Sequence, residues 1–312
     1  MRTVRLAYRD NDRTPVIYCI KAIAEQHYGI EVQVVQIEGR EEFEAALFND
    51  SCDVIIEHIE YLHTEAARGK KITFFCAPQI HRGLKLVVPQ NFSSLEELRG
   101  KTMAVRDLGR PHTVTLWLRK MGLEKDVKTI IVKDKEIGRW QQWKQIVSGE
   151  CAACFIAPIY LPDALAAGLK TFPVPDVEII SNFAQACLSS FASQDSGLMK
   201  EYLKAVVHAI ALLIYRRDEA MEIIAGEPMR LMKVSNIDEL RRQVDSIVEM
   251  LHVKPYPTGE AILNTNEIAA HEYGAGVENP LTLWDLHWLK ELDDEGYTDD
   301  LITRLSAPTP RR

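Results

Sequence analysis

The chain has 312 residues, enough for two lobes that each bury a substantial core. Hydrophobic residues make up 46% and charged residues 26%, the balance of a globular protein, and a formal net charge of −8 argues against a nucleic-acid surface. No stretch has the length and apolarity of a transmembrane helix.

Strands and helices alternate from the start. "TVRLAY" (3–8) reads as a strand and leads into a helix around 14–28. "EVQVVQI" (31–37) precedes a helix around 40–48, and "DVIIE" (53–57) precedes one around 60–68. "KITFFCA" (71–77) and "GLKLVVP" (83–89) follow as strands separated by "PQIHR". This βαβ rhythm predicts a parallel, doubly wound sheet.

A second unit opens at "SSLEELRGKTMAV" (93–105), where Ser93 or Ser94 can cap a short helix that Gly100 ends. A helix (112–121), a strand (128–132) and a helix around 136–148 follow. "CAACFIA" (151–157) reads as a strand, "PIYLPDALAAGL" (158–169) as a helix and "VEIIS" (177–181) as a strand. From about 196 the chain is mainly helical and amphipathic, with further helices at 236–251, 259–269 and 281–304. His208, Met221 and Met232 fall on those helical faces and read as core or surface, not as ligands.

Two strand-to-helix turns share one pattern, A-x-R-D-x-x-R: "AYRDNDRTP" from Ala7 and "AVRDLGRPHT" from Ala104. A helix N-terminus carries free N–H groups and a positive dipole end, so it receives anions. Arg9, Asp10 and Arg13 in the first copy, and Arg106, Gly109, Arg110, His112 and Thr113 in the second, are therefore candidates to gather one small anion. Pro111 suits the first turn of the second helix. A guanidinium can give two parallel hydrogen bonds to a carboxylate or sulfonate.

Other candidates sit at predicted strand ends. His58 and Tyr61 follow "DVIIE", Pro158 and Tyr160 follow "CAACFIA", and Asn182 follows "VEIIS". Glu57 can point either way, and His63 reads as a solvated helix residue. His81 and Arg82 lie on an expected crossing between lobes, and Trp140 could stack on an aromatic ligand. The six cysteines are too sparse for a disulfide framework, and the C-x-x-C of "GECAACF" has no second pair to complete a zinc set. No phosphate loop, Ser-His-Asp order or metal-ligand cluster is visible, so neither cofactor nor metal is expected.

In order and spacing these segments resemble a type II periplasmic binding protein, of the class that binds sulfonates, nitrate and thiamine-pyrimidine precursors. The resemblance covers nearly the whole chain. It rests on the strand-turn-helix start, "DVIIEHIEYLHTEAARGKKIT", "SLEELRGKTMAV", "IVSGECAACFIAPIYLPDALAAG" and the helical end with "NPLTLWDLHWLKELDDEGY". It implies an α/β, two-lobed fold with a helical C-terminal part: residues 1–80 plus 186–312 in lobe one, 84–182 in lobe two, and crossings near 78–84 and 182–190. It also implies a ligand held between lobes that close on it, with each lobe contributing one copy of the arginine motif. An ABC-transporter permease is then the expected partner if the protein is exported.

The same fold hosts enzymes, among them aromatic sulfinate desulfinase, 4,5-dihydroxyphthalate decarboxylase and a pyrimidine synthase. Similarity to the desulfinase places His58 and Arg68 at its active-site spacing and asks for a cysteine nucleophile near the first turn, where Cys19 is nearest. The N-terminus begins directly on a strand pattern, so the expected location is cytoplasmic as the sequence stands and periplasmic if an export signal precedes it. Two functions follow as expectations. One is binding of a small organic anion, aromatic ones included, for a transporter. The alternative is a decarboxylase, desulfinase or cofactor-precursor enzyme with His58 as acid or base.

Overall fold

A computed structural model describes residues 2–106, 111–180 and 182–307, with the side chains of residues 111 and 112 set aside. The chain divides into unit 1, Met1–Arg82 with Glu178–Arg312, and unit 2, Gly83–Val177.

Unit 1 opens with β1 (Arg2–Tyr8), α1 (Thr14–His27), β2 (Ile30–Gln36), α2 (Arg40–Ala45), β3 (Val54–Glu57), α3 (Glu60–Ala67) and β4 (Ile72–Cys76). Unit 2 holds β5 (Lys85–Pro89), β6 (Thr102–Arg106), α4 (Pro111–Lys120), β7 (Lys128–Val132), α5 (Asp134–Ile137), α6 (Lys144–Val147), β8 (Ala153–Ile156), α7 (Leu161–Ala166) and β9 (Leu169–Phe172). The chain then returns through β10 (Ala184–Leu188), α8 (Ser189–Gln194), α9 (Ser196–Tyr215), α10 (Arg217–Ile224), α11 (Glu227–Leu231), α12 (Ile237–Val248), α13 (Gly259–Tyr273), α14 (His287–Asp294) and α15 (Tyr297–Ser306).

Each unit is built on one five-stranded sheet, ordered β2-β1-β3-β10-β4 and β7-β6-β8-β5-β9. The two orders match position for position. In the first, β1 pairs parallel with β2 and β3, and β10 runs antiparallel between β3 and β4. In the second, β6 pairs parallel with β7 and β8, and β5 runs antiparallel between β8 and β9. The expected all-parallel sheet is thus corrected to two mixed sheets. The reversed strand in each is joined to its neighbours by no βαβ crossover, so nothing forces it parallel.

The central strand β3 is buried throughout, Val54–Glu57, which explains its continuous apolar run, and the edge strand β4, Ile72–Cys76, is buried throughout as well. α9 is apolar almost all round because α1, α10, α14 and α15 pack against it. Asp195 caps it by accepting from Leu198 N at 2.8 Å.

Several sequence-based elements change. The described part of "VEIIS", residues 177–180, forms no strand: Ile179 N donates to Ile80 O at 2.8 Å and Ile180 N to Thr265 Oγ1 at 2.8 Å, outside any ladder. The helix expected over 136–148 splits into α5 and α6, because Gly138 and Trp140 take φ of +96° and +59°. The one expected over 281–304 divides at Gly296, φ +72°. Residues 158–169 give a 3₁₀ turn and α7, and then the edge strand β9.

His63 is not a solvated helix residue. It is fully buried, stacks on Phe74 at 5.0 Å, and its Nδ1 proton goes to Asn266 Oδ1 at 3.2 Å. Burial pushes its pKa down to about 4, so the ring is neutral in ordinary buffers.

Candidate functional site

In unit 1, parallel pairing sets the carboxyl ends of β1 and β3 at one sheet edge, where ligands of open α/β sheets bind. Arg9 and Asp10 leave β1, a 3₁₀ turn spans Asn11–Arg13, and α1 begins at Thr14 and Pro15 with no side-chain cap. The 3₁₀ turn runs straight into the helix: Thr14 N donates to Asn11 O, and Pro15 has no N–H to give.

Arg13 lies under this edge. Its side chain is 4% exposed, and its Nη2 donates to Glu57 Oε1 at 2.5 Å and to Asn182 Oδ1 at 2.9 Å. Asp10 Oδ2 stands 3.8 Å from Arg13 Nη1 and 3.5 Å from Arg9 Nη2. Glu57 also accepts from the backbone N–H groups of Asp10 (3.3 Å) and His58 (3.1 Å). The buried Glu57 carboxylate thus ties together the turns after β1 and β3, and Arg13 links them to Asn182 before β10. The His58 ring follows, with Nε2 3.9 Å from Glu57 Oε1.

Farther along the edge, Arg82 donates to the buried Glu60 Oε1 at 3.1 Å. The His81 carbonyl accepts from the fully buried Gln79 Nε2 at 2.6 Å. Tyr61 is buried edge-on against Phe43 in the core, and burial raises its phenol well above the usual range. Its hydroxyl has no hydrogen-bond partner among the described residues, and neither has Arg13 Nε. Both are buried polar atoms at or just beneath the strand-end edge, and a buried donor left unmatched costs free energy.

In unit 2 the matching edge lies at the ends of β6 and β8. Arg106 closes β6, and its Nε donates to both Asp134 oxygens at 2.8 and 2.7 Å. Its guanidinium lies 4.5 Å over the Trp140 ring, and Trp140 stacks on Tyr160 at 6.3 Å with 23° between planes. Pro158 and Tyr160 bound the 3₁₀ turn that follows β8. These contacts make a guanidinium–indole–phenol ladder, and cation–π attraction adds to it. Trp140 holds φ at +59°, a costly conformation for so bulky a residue and one that concentrates at functional sites.

The half-buried Thr113 has a buried hydroxyl with no partner among the described residues. The same holds for Gln142 Oε1, whose Nε2 donates to Phe155 O at 2.6 Å. Gly109 and Arg110 lie outside the described residues, as does the side chain of His112, which stands in the first turn of α4.

The structure thus gathers Arg9, Asp10, Arg13, His58 and Asn182 around Glu57 in unit 1, and Arg106, Trp140 and Tyr160 around one another in unit 2. The carboxylates were the harder part to foresee. Glu57 ends an apolar strand, and Asp134 opens a helix 28 residues beyond its arginine. A charged residue terminating a fully buried strand was the available signal for Glu57.

All six cysteines are free and buried. Burial pushes the thiols of Cys19, Cys52 and Cys187 up to about 12 and Cys151 to about 11, and raises Cys76 and Cys154 further. A nucleophilic cysteine needs its pKa lowered, so none of these is activated, and Cys19 is core packing within α1. No group of three or more His, Cys, Asp or Glu among the described residues could hold a metal ion. No helix among them is long and apolar enough to cross a membrane.

No family model and no curated protein matches the sequence. Solved structures do match. The periplasmic aliphatic sulphonate binding protein SsuA of Escherichia coli superposes with a TM-score of 0.63 at 15% identity, covering 88% of this chain and 92% of that one. A Candida albicans protein described as having the generic periplasmic binding protein fold gives 0.56 at 14% identity, over 94% and 95% of the two chains. The fold is that of the periplasmic binding proteins. The desulfurization enzyme DszB shares it, with a TM-score of 0.60 at 13% identity over 95% and 100% of the chains. This two-part α/β scaffold therefore carries both a binder and an enzyme, and function has to be argued from the site.

Proposed function

We propose that the protein binds a small organic anion, a sulfonate or carboxylate with a planar or aromatic body, and serves as the substrate-binding component of an ABC importer. The observation that carries this reading is the Arg106–Trp140–Tyr160 ladder at the strand ends of unit 2, held by a strained Trp140. Arg106 supplies charge, and the rings supply a flat apolar wall. Unit 1 carries donors of its own near its strand ends, Arg9 and the buried Arg13 Nε. His58, His81, Arg82 and Asn182 stand near that edge with Tyr61 buried in the core beneath it, while Pro158 and Thr113 follow the strand ends of unit 2. The binding reading carries with it a periplasmic location and a permease partner.

A second reading, an enzyme with His58 as acid or base, draws support from the Glu57 carboxylate beside its ring. The inert thiols speak against a desulfinase-type cysteine mechanism within it.

The test is calorimetric titration with benzenesulfonate and ethanesulfonate of the parent protein and of Arg9→Ala, Arg106→Lys and Trp140→Ala. Benzenesulfonate should bind more tightly than ethanesulfonate, and Trp140→Ala should narrow that preference by about 2–10-fold, the worth of one aromatic contact. Arg9→Ala should weaken both, by roughly 30-fold if that guanidinium is desolvated against the anion. Arg106→Lys keeps the charge and loses the planar fork, so it should recover only part of the affinity. Equal binding of both sulfonates by all four proteins would refute the assignment. Unchanged ligand with loss of turnover in His58→Ala would instead establish the enzyme.

A further inference from the structure

Far along the chain from the strand ends, α1, α9, α10 and α15 of unit 1 line a cavity of about 580 Å³. That is the size range of small-molecule sites. An isoleucine each from α1 and α10 and a leucine each from α9 and α15 make its apolar wall. Its buried polar group is His208, 8% exposed, with His27 beside it at 5.2 Å between ring centres.

The hydrogen-bond chain behind His208 fixes which ring nitrogen carries the proton. Tyr297 Oη donates to the Lys204 carbonyl at 3.1 Å, and a carbonyl can only accept. Tyr28 Oη must then donate to Tyr297 Oη at 2.5 Å, which uses its one proton. His208 Nδ1 must in turn donate to Tyr28 Oη at 3.1 Å. This is the one assignment that makes all three contacts hydrogen bonds. It leaves Nε2 as a bare acceptor, with no partner among the described residues. Burial, helped by His27 and Arg304, keeps the ring neutral by pushing its pKa down to about 4.

Glu219, Glu222 and Arg304 line the same cavity as His208. Glu219 is 3.9 Å from Arg216, while Glu222 and Arg304 have no ion-pair partner among the described residues. The cavity thus offers His208 Nε2 and two carboxylates as acceptors, one guanidinium, the polar side chains of Gln26 and His27, and an apolar wall. An ammonium carries three N–H donors, and a guanidinium matches a carboxylate. We infer that this cavity is a second ligand site, for a zwitterionic amino acid with an apolar side chain, its ammonium held by His208, Glu219 and Glu222 and its carboxylate by Arg304. The inference stands apart from the proposed anion site and shares no residue with it.

The test uses the full chain and three probes: L-leucine, 4-methylpentanoate, which lacks the ammonium, and 3-methylbutylamine, which lacks the carboxylate. Leucine should shift the His208 ring-proton signals in NMR titrations and should bind about tenfold or more tighter than either fragment, each missing a charge-assisted hydrogen bond. With His208 and Glu219 still holding the ammonium, Glu222→Gln should reduce the preference over 4-methylpentanoate severalfold, and Arg304→Gln should erase the preference over 3-methylbutylamine. Both are exposed positions whose replacement leaves the core intact, and neither should alter benzenesulfonate binding. No His208 shift at saturating leucine, or leucine binding unchanged in both variants, would overturn the inference.

Discussion

Arg13→Met isolates the contact on which the unit 1 edge depends. The change removes the guanidinium from Glu57, whose side chain is 2% exposed, and keeps a chain of similar length to fill the space. Glu57 would retain only the backbone N–H groups of Asp10 and His58 at 3.3 and 3.1 Å. Breaking a buried ion pair from one side costs about 3–5 kcal/mol, because the remaining charge stays desolvated. Glu57→Gln should cost less, about 2 kcal/mol, since the amide oxygen still accepts while Asn182 and Asp10 still face the guanidinium. The double variant should be destabilised by less than the sum of the singles, with a coupling of at least about 1 kcal/mol. Urea unfolding followed by circular dichroism, compared across the four proteins, measures all three quantities. Two single variants within about 1 kcal/mol of the parent would refute the reasoning, for that is how a solvated surface pair behaves.

Two further outcomes follow from the buried titratable groups. His63, with its pKa lowered from 6.5 to about 4, is neutral when folded and protonated when unfolded across that window. Its contribution is therefore complete above pH 6.5 and is lost as pH falls towards 4, by roughly 3 kcal/mol in all. An NMR titration in which the His63 C2 proton shifts near pH 6.5 would contradict its burial. All six thiols should resist a disulfide reagent in the native protein and react together on unfolding; fast reaction of Cys19 would revive cysteine chemistry.

The alternation of strands and helices was legible because each carries its period in a local window, and β1 to α3 fall close to where the apolar runs put them. β10 was not. "AQACL" is short and small-chained, and its place between β3 and β4 is decided by partners more than a hundred residues away. "VEIIS" failed in the opposite sense: it has the composition of a strand, but Ile80 and the side chains of α13 take its hydrogen bonds. The helix over 136–148 looked continuous because its apolar spacing survives the break at Gly138 and Trp140.

At the site, the repeated A-x-R-D-x-x-R turns were visible as patterns, and both arginines that close β-strand turns in the described residues do sit at strand ends. What each arginine faces was not visible. Arg13 is matched by Glu57 across 44 positions and Arg106 by Asp134 across 28, and in the first copy the motif's own Asp10 stands farther from Arg13, at 3.8 Å, than Glu57 does. Spacing identifies which turns are basic; only packing identifies which charges remain for a ligand.

The central claim is that this chain holds a small organic anion and returns it unchanged. Native mass spectrometry of the purified protein, followed by release and identification of whatever it retains, tests this most directly. The account predicts a one-to-one complex with an anion bearing a carboxylate or sulfonate on a planar body, recovered with the same mass after prolonged incubation with the protein. A retained neutral or cationic compound, or an anion converted to a product of different mass on incubation, would contradict it.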